Sequence, residues 1–384
     1  MEVRRQKYGL GKQDFKSLRN RDFVYVDKTD FIIRLLEGTD YYFLSRPRRF
    51  GKTLFISTLY NFFKGNRELF KGLAIDSYDW NWETYPVIRI NLGEGSYSRA
   101  DGLTERLNEI LSEIEKSYGL DACGNDPRSR LHNLILTLNE HFQNHVVVLI
   151  DEYEKPLLDT INENFNQRYQ KELADFYSVL KNNEESIRFL FVTGVTRFGH
   201  LNIFSGFNNL TDISIDDEYA SICGITQEEI LTYLSPGINE LADAWKCSFD
   251  DTIAKLKQNY DGYHFSASMV DIYNPFSLLT CLQAKRLSST WFQSASSRYL
   301  LDNLRRNRYD LTALDGSKVD ENKLLGSDAT MHDPITLLYQ SGYLTIKGFN
   351  PITQLYTLGL PNQEVATALY SIIIPYYLGA NYSW

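Results

Sequence analysis

The chain has 384 residues, of which 43% are hydrophobic and 23% are charged. This length leaves room for about two to three domains, and the composition is typical of a globular protein rather than a disordered chain. The 40 Lys and Arg residues against 49 Asp and Glu residues give a net charge of −9. No global basic field therefore attracts the protein to nucleic acid or to an anionic membrane.

The cysteines are scattered without a close pair, at Cys123, Cys223, Cys247 and Cys281. This pattern predicts neither a zinc site nor a disulfide framework, and it favours a reducing compartment. The apolar runs are too short to span a bilayer, and the charged residues after Met1 are unlike a signal peptide. We therefore expect a cytoplasmic protein with no membrane partner.

Strands and helices alternate in the first half of the sequence, according to its apolar periodicity and chain breakers. In chain order we expect the strand Tyr41–Ser45, the helix Lys52–Lys64, the strand Pro86–Leu92, the helices Arg99–Tyr118 and Arg130–Phe142, the strand Val146–Ile150, the helix Asn166–Asn182, and the strands Ile187–Val195 and Leu210–Ile215. Strands separated by helices imply parallel pairing through right-handed crossovers. The predicted fold class is α/β, with a doubly wound, mainly parallel sheet.

The pattern changes after about Asp216. Thr226-Gln-Glu-Glu229 predicts a capping-box start to a helix, and helical stretches dominate from there to about Asn307. Near the end, the helix Ile335–Gln340 and two short strands are compatible with a winged-helix module. The predicted domains are a core with an N-terminal extension at 1–215, a helical lid at 216–290 and a winged-helix-like region at 291–384.

The segment Arg46-Pro-Arg-Arg-Phe-Gly51-Lys52-Thr53 lies between a predicted strand and a predicted helix, the setting of a phosphate-binding loop, or P-loop. Backbone N–H groups of the loop and the first helical turn would converge on phosphates, aided by the helix dipole. Lys52 would reach the β- and γ-phosphates, and Thr53 would bind Mg²⁺. The residues expected to hold the nucleotide are Arg48, Arg49, Phe50, Gly51, Lys52, Thr53 and Leu54.

The loop departs from the usual P-loop at its first position, where Arg46 replaces the standard glycine. A basic turn before an ordinary helix is the alternative interpretation of the segment. Arg48 and Arg49 leave a similar choice between phosphate contacts and simple solvation.

A second motif supports the nucleotide-binding interpretation. Val146-Val-Val-Leu-Ile-Asp151-Glu152 is an apolar strand that ends in two acids, and buried carboxylates are costly unless they face solvent or a cation. We expect Asp151 to hold Mg²⁺ and Glu152 to orient and deprotonate the attacking water. Alternatively, both acids form only the polar end of a strand and the start of a helix. The spacing fits NTPases in which an extra strand separates the P-loop strand from the acidic strand.

The strand Ile187–Val195 leads into Thr196 and Arg197. A polar residue at this strand end would lie near the γ-phosphate, and Arg197 could act catalytically, with Lys52 and Glu152, by stabilising charge in the transition state. A surface arginine in a turn is the alternative, and the sequence favours neither.

These strings together resemble the bacterial AAA-ATPase-like family, over nearly the whole chain. The Arg-Pro-Arg-Arg-Phe-Gly-Lys string is specific, and the family's own loop begins with Arg-Pro, so the missing glycine is consistent with binding. The matching segments are Gly11–Leu36 with Tyr25-Val-Asp-Lys-Thr29, Phe43–Leu54, Val148–Pro156, Phe191–Gly199, Asn259–Phe265, Tyr273-Asn-Pro275 and Gly342–Leu360.

The resemblance implies ATP and Mg²⁺ as cofactors, and no guanine-specific Asn-Lys-x-Asp string is present. Many members carry a C-terminal domain similar to PD-(D/E)XK nucleases. No Asp…Glu-x-Lys pattern follows Val365 in this sequence, so no nuclease activity is assigned to these residues. Either this sequence is part of a longer chain or this member lacks the domain.

The predicted function is ATP binding with Mg²⁺-dependent hydrolysis that drives a conformational change. The alternatives are a nucleotide-dependent switch that does not hydrolyse ATP and a DNA-associated regulatory protein. Beyond the nucleotide, a protein partner or a second copy of the chain would respond to the cycle, whereas the net charge does not support nucleic acid.

Overall fold

The computed structural model describes residues 6–197, 209–289, 314–326 and 334–377. The chain forms two compact units. The sheet unit comprises Asp27–Ser45 and Lys52–Ile213, and the helical unit comprises Met1–Val26, Arg46–Gly51 and Ser214–Trp384. The three-domain division stays a prediction. Much of the region 291–384 lies outside the described residues, as does the end of the predicted helical stretch, residues 290–307.

The described strands are β1 (Tyr41–Ser45), β2 (Val87–Asn91), β3 (Val146–Asp151), β4 (Ile187–Gly194), β5 (Thr211–Asp212), β6 (Lys318–Val319), β7 (Thr345–Asn350) and β8 (Leu355–Gly359). The described helices are α1 (Phe15–Asn20), α2 (Asp30–Glu37), α3 (Lys52–Phe63), α4 (Gly102–Ser117), α5 (Pro127–Phe142), α6 (Lys155–Asp159), α7 (Asn166–Asn182), α8 (Gln227–Glu229), α9 (Ser235–Trp245), α10 (Phe249–Tyr260), α11 (Pro275–Ala284), α12 (Glu321–Leu325), α13 (Pro334–Gln340) and α14 (Gln363–Tyr377).

The sheet unit is built on a five-stranded sheet in the order β2-β3-β4-β1-β5. All of its described pairings are parallel, which confirms the predicted α/β class. The strand β4 lies between β1 and β3, so one strand separates the strand before the Arg-Pro-Arg-Arg-Phe-Gly segment from the strand that ends in Asp151. The arrangement is the one expected from the two motifs.

Helices cover both faces of this sheet. On one face, α4, α5 and α7 contribute Leu107, Leu134 and Leu173 to a core that also contains Ile88 and Val148. On the other face, α3 packs against β2, β3 and β4, with the Phe63 ring 5.0 Å from that of Phe189. β3 is buried along its whole length, as a continuous β-branched run predicts. Its terminal carboxylate is therefore held inside protein.

The helical unit has its own core, in which Ile230, Leu241, Leu256 and Leu278 of successive helices pack together. The predicted capping box is present, since the Thr226 hydroxyl accepts from the Glu229 N–H. A π-helical turn, Ile230–Leu234, joins α8 to α9. Further along, β6, β8 and β7 form an antiparallel sheet in that order. The winged-helix character of this end stays a prediction.

None of the helices formed by the described residues combines the length and the apolar content that crossing a membrane requires.

Candidate functional site

Asp151 ends β3 in a fully buried position, with no exposed side-chain surface. Its Oδ1 accepts a 2.7 Å hydrogen bond from the Thr193 hydroxyl on β4. Its Oδ2 is also buried, and no described residue offers it a hydrogen bond. Burying an ionised oxygen in this way is costly unless a cation or an ordered water completes its coordination.

Glu152 follows immediately but differs in both backbone and exposure. Its φ of 52° is left-handed, a conformation that non-glycine residues seldom adopt and that often marks functional sites. The half-buried side chain turns towards the loop after β2, because a Cβ added to Gly93 would lie 2.8 Å from Glu152 Oε2. The two acids therefore occupy distinct environments, one enclosed beside Thr193 and the other accessible to water.

The next two residues hold the chain at the end of β4. The Tyr153 N–H donates to the Thr193 carbonyl, and the Tyr153 hydroxyl donates to the Thr196 carbonyl at 2.9 Å. Glu154 Oε1 accepts from the N–H groups of Val195 and Thr196. The Asp151–Glu154 segment thus fixes the Thr193–Thr196 turn through side-chain and backbone bonds.

Glu154 is 1% exposed, and this burial raises the pKa of its carboxyl to about 7 from an ordinary value of 4.5. The N–H donors of Val195 and Thr196 oppose the rise in pKa, and the charge of Glu152 adds to it. Gly194 makes the space, because a Cβ there would collide with Glu154 Oε2. Sequence reasoning missed this residue. An acid at the start of a helix is common, so only the Asp-Glu-Tyr-Glu grouping could have hinted at it.

Lys52, Thr53 and Leu54 form the first turn of α3, as predicted. Lys52 is 6% exposed, whereas Thr53 and Leu54 are half-buried. The first N–H groups of an α-helix have no partners within the helix and carry the positive end of its dipole. This turn therefore provides a lysine, a hydroxyl and N–H groups of the kind that bind phosphate. The helix that it begins packs against β3, the strand that ends in Asp151.

The loop Arg46–Gly51 connects β1 to α3 along the chain, but its side chains pack within the helical unit. Phe50 is 1% exposed, so its side chain is unsuited to ligand contact, and only its backbone could serve. The half-buried Arg48 and exposed Arg49 stay candidates, although the Arg49 guanidinium lies 4.6 Å from the Phe276 ring centroid. Gly51 has a φ of 102°, which explains the glycine.

Arg197 follows the turn after β4, and its guanidinium pairs with Asp212 on β5 at 2.9 Å. The side chain is 36% exposed. The ion pair leaves both interpretations of this residue open, because a catalytic contact would require Arg197 to leave Asp212.

Asp151 has the chemistry to serve as one ligand of Mg²⁺. No group of three or more His, Cys, Asp or Glu side chains with metal-binding geometry occurs in the described part of the chain. Mg²⁺ in phosphate sites keeps several waters and takes one or two carboxylates together with substrate oxygens. The buried, unpartnered Oδ2 of Asp151 fits that requirement.

The chain is similar to several known proteins. The family model described as "Predicted AAA-ATPase" matches residues 9–204. An Azotobacter chroococcum mcd 1 protein described as "Uncharacterized protein in vnfD 5'region" is 34% identical over 379 residues, covering 97% of this chain and 71% of that protein. The Aeropyrum pernix ORC2 protein, solved as ADPNP-ADP complexes, matches 90% of this chain and 92% of its own, with 14% identity and a TM-score of 0.33.

The ORC2 similarity is too low to carry an inference about this chain. The family model, by contrast, spans both the Arg46–Thr53 segment and the strand that ends in Asp151. The chain belongs to the family of predicted AAA-ATPases.

Proposed function

We propose that the chain binds ATP together with Mg²⁺ and hydrolyses it. The observation that carries the proposal is the fully buried Asp151 carboxylate, bonded to Thr193 through one oxygen and left without a described partner on the other. It stands at the carboxyl end of a parallel strand, where ligands of open α/β sheets bind.

The nucleotide would be held by consecutive residues of one segment. The N–H groups from Arg48 to Leu54 would bind phosphate oxygens, and the Lys52 ammonium would neutralise the β- and γ-phosphates. The Thr53 hydroxyl and the Asp151 carboxylate would hold Mg²⁺, which supplies Lewis-acid stabilisation of the phosphoryl oxygens when bound.

Glu152 is the residue proposed to act on water. Its side chain is half-buried rather than enclosed, so a water molecule can reach the carboxylate. The carboxylate would take a proton from the water as its oxygen attacks the γ-phosphorus. The bond from that phosphorus to the β,γ-bridging oxygen would break in line with the attack, and ADP would leave with that oxygen. Arg197 would stabilise charge on the transferred group once it separates from Asp212.

A nucleotide-dependent switch without hydrolysis is the second candidate. The ion pair between Arg197 and Asp212 favours the switch, because an arginine held by a carboxylate does little to stabilise the charge of the transition state. In that case ATP and ADP would differ only in the conformations they stabilise. Any conformational change, its partner protein and the cytoplasmic location stay predictions.

Glu152→Gln tests hydrolysis, with Glu163→Gln as the control at an exposed glutamate of the same unit. We expect phosphate release to fall by about 100-fold or more, the usual loss on removal of a general base, while nucleotide affinity changes little. The control should behave as the unmutated protein. Undetectable phosphate release by the unmutated protein, with nucleotide still bound, would select the switch instead.

A further inference from the structure

The loop Arg46–Gly51 carries an aromatic anchor at Phe50. The Phe50 ring meets Tyr263 edge-on, with centroids 4.8 Å apart and planes at 78°. It meets Phe265 in the same way, at 5.2 Å and 87°. Tyr263 and Phe265 are themselves stacked, with centroids 6.3 Å apart. Edge-to-face contacts of this kind favour one orientation of the inserted ring.

Arg46 provides a second anchor at the other end of the loop. Its side chain is 1% exposed, and its guanidinium lies 4.4 Å from the centroid of the Phe265 ring. The same group donates hydrogen bonds to the carbonyls of Ser214 at 2.5 Å and Tyr219 at 3.0 Å. A planar guanidinium held by two carbonyls and one ring face has little freedom to move.

The loop backbone is also fixed. The Gly224 N–H donates to the Phe50 carbonyl at 2.9 Å. Gly224 has a φ of 92°, and a Cβ there would collide with Ile272 Cγ2 and lie 3.3 Å from Phe50 Cδ1. Only glycine allows this approach.

Backbone hydrogen bonds hold the segment that carries Tyr263 and Phe265. Tyr263 and Ile272 exchange backbone hydrogen bonds at 3.0 and 3.3 Å, and Ile225 pairs with Tyr273 in the same manner. Tyr263 and Phe265 belong to the Asn259–Phe265 string, for which the nucleotide-binding proposal provides no role.

We propose that Phe265 and Tyr263 are positioning residues for the Arg46–Gly51 part of the phosphate-binding loop, and that their contacts with Phe50 and Arg46 raise the affinity of the chain for nucleotide. The proposal rests on the assignment of Arg46–Thr53 to phosphate binding. A loop already held in its binding conformation loses less entropy when a phosphate arrives. Arg46, which lies where the usual loop has its first glycine, anchors this loop through its side chain.

Phe265→Leu tests the proposal, because it removes the ring contacted by Arg46 and Phe50 and keeps an apolar side chain. Phe265→Tyr retains the ring. Phe349→Leu is the matched control, since Phe349 belongs to the same unit and contacts Tyr356 at 4.6 Å. By calorimetric titration with MgADP, we expect Phe265→Leu to weaken binding by about tenfold or more. Phe265→Tyr and Phe349→Leu should stay within about threefold of the unmutated affinity.

Amide hydrogen exchange without nucleotide provides an independent readout. In Phe265→Leu the amides of Arg48–Gly51 should exchange faster than in the unmutated protein, while those of Tyr41–Ser45 keep their rate. Equal affinities and equal loop exchange for Phe265→Leu and the unmutated protein would overturn the proposal. If the unmutated protein binds no nucleotide, the nucleotide-binding assignment fails, and the exchange comparison still decides whether Phe265 holds the loop.

Discussion

The Thr193 hydroxyl donates a 2.7 Å hydrogen bond to the carboxylate of Asp151, joining the ends of two neighbouring parallel strands. Both residues are fully buried. The bond fixes the orientation of the carboxylate and directs its second oxygen away from Thr193. Loss of a partner that orients a metal ligand typically lowers metal affinity by about 10–100-fold.

Thr193→Val should therefore lower the affinity for Mg²⁺, so that nucleotide binding requires higher Mg²⁺ concentrations. The substitution keeps the shape of the side chain and removes the donor. We expect the half-saturating Mg²⁺ concentration to rise by about tenfold or more, the usual effect of losing such a partner. The free energy of unfolding should fall by about 1–3 kcal/mol, because a buried acceptor loses its partner.

Thr252→Val is the control for this substitution, since Thr252 is equally buried and donates its hydroxyl to the Ser248 carbonyl in the helical unit. It should lower stability without changing the Mg²⁺ dependence. An unchanged Mg²⁺ dependence in Thr193→Val would contradict the assigned role of Asp151.

Glu154 should make the stability of the protein depend on pH. Because burial raises its folded-state pKa to about 7 from 4.5, the folded state binds its proton more tightly than the unfolded state. This contribution is complete below pH 4.5 and is lost as the pH rises through about 7. Glu154→Gln cannot lose a proton, so its stability relative to the unmutated protein should increase by roughly 3 kcal/mol at most between about pH 4.5 and pH 8.

Chemical denaturation at several pH values measures this difference, with Glu185→Gln as the control at an exposed glutamate. The stability difference between the control and the unmutated protein should stay nearly constant with pH. If the stability of Glu154→Gln changed with pH in the same way as that of the unmutated protein, the raised pKa would be contradicted.

The ion pair between Arg197 and Asp212 leaves Arg197 with either a catalytic or a structural role. Two variants distinguish these roles. If Arg197 stabilises the transition state, Arg197→Ala should lower the rate of phosphate release by about 10²-fold or more, and Asp212→Ala should leave most of that rate intact. Equal losses in the two variants would indicate that the pair serves only to hold β5. Single-turnover phosphate release distinguishes the two outcomes.

Arg130 and Glu115 form a buried ion pair between α5 and α4, with side chains 8% and 4% exposed. Arg130 also donates to the side chains of Asn108 and Ser112. Glu115→Ala should lower the free energy of unfolding by about 3–5 kcal/mol, because it leaves a buried charge without its partner. The double variant that combines Arg130→Met with Glu115→Leu removes both charges, so it should restore part of that loss.

The control is Asp159→Ala, which breaks the ion pair between Lys155 and Asp159. The side chains of that pair are more exposed, at 21% and 38%. A pair near the surface contributes about 0–1 kcal/mol. Urea unfolding gives the free energy of unfolding of each of these variants. A Glu115→Ala protein as stable as Asp159→Ala would show that the Arg130 network tolerates the loss.

Much of the sheet unit is predictable because its elements have strong local patterns. The strand β1 and the helix α7 have the predicted bounds, and β3 extends one residue beyond its prediction. The edge strand is harder. The alternating pattern predicts a strand over Leu210–Ile215, but β5 comprises only Thr211–Asp212, paired with Tyr42 and Phe43 of β1. Such a pattern shows that a segment can pair and does not show how much of an edge strand finds a partner.

The candidate site could be proposed from the sequence where its residues are consecutive, as in Lys52-Thr53 and Asp151-Glu152, and their roles stay predictions. It is not predictable where a distant contact decides the role. In the sequence Arg46 is a departure from the usual loop, whereas its partners Ser214 and Tyr219 lie 168 and 173 positions further along the chain. The pKa of Glu154 is raised mainly by burial beneath the turn after β4, which the local sequence does not reveal.

Nucleotide-dependent thermal stabilisation, compared between the unmutated chain and Lys52→Ala, tests the central claim most directly. MgATP at about 100 times its dissociation constant should stabilise the unmutated protein by about 2.7 kcal/mol. The same concentration should stabilise Lys52→Ala far less, because the variant lacks the ammonium that binds the β- and γ-phosphates. Equal stabilisation of the two proteins, or none in the unmutated protein, would contradict a nucleotide site at Arg46–Thr53.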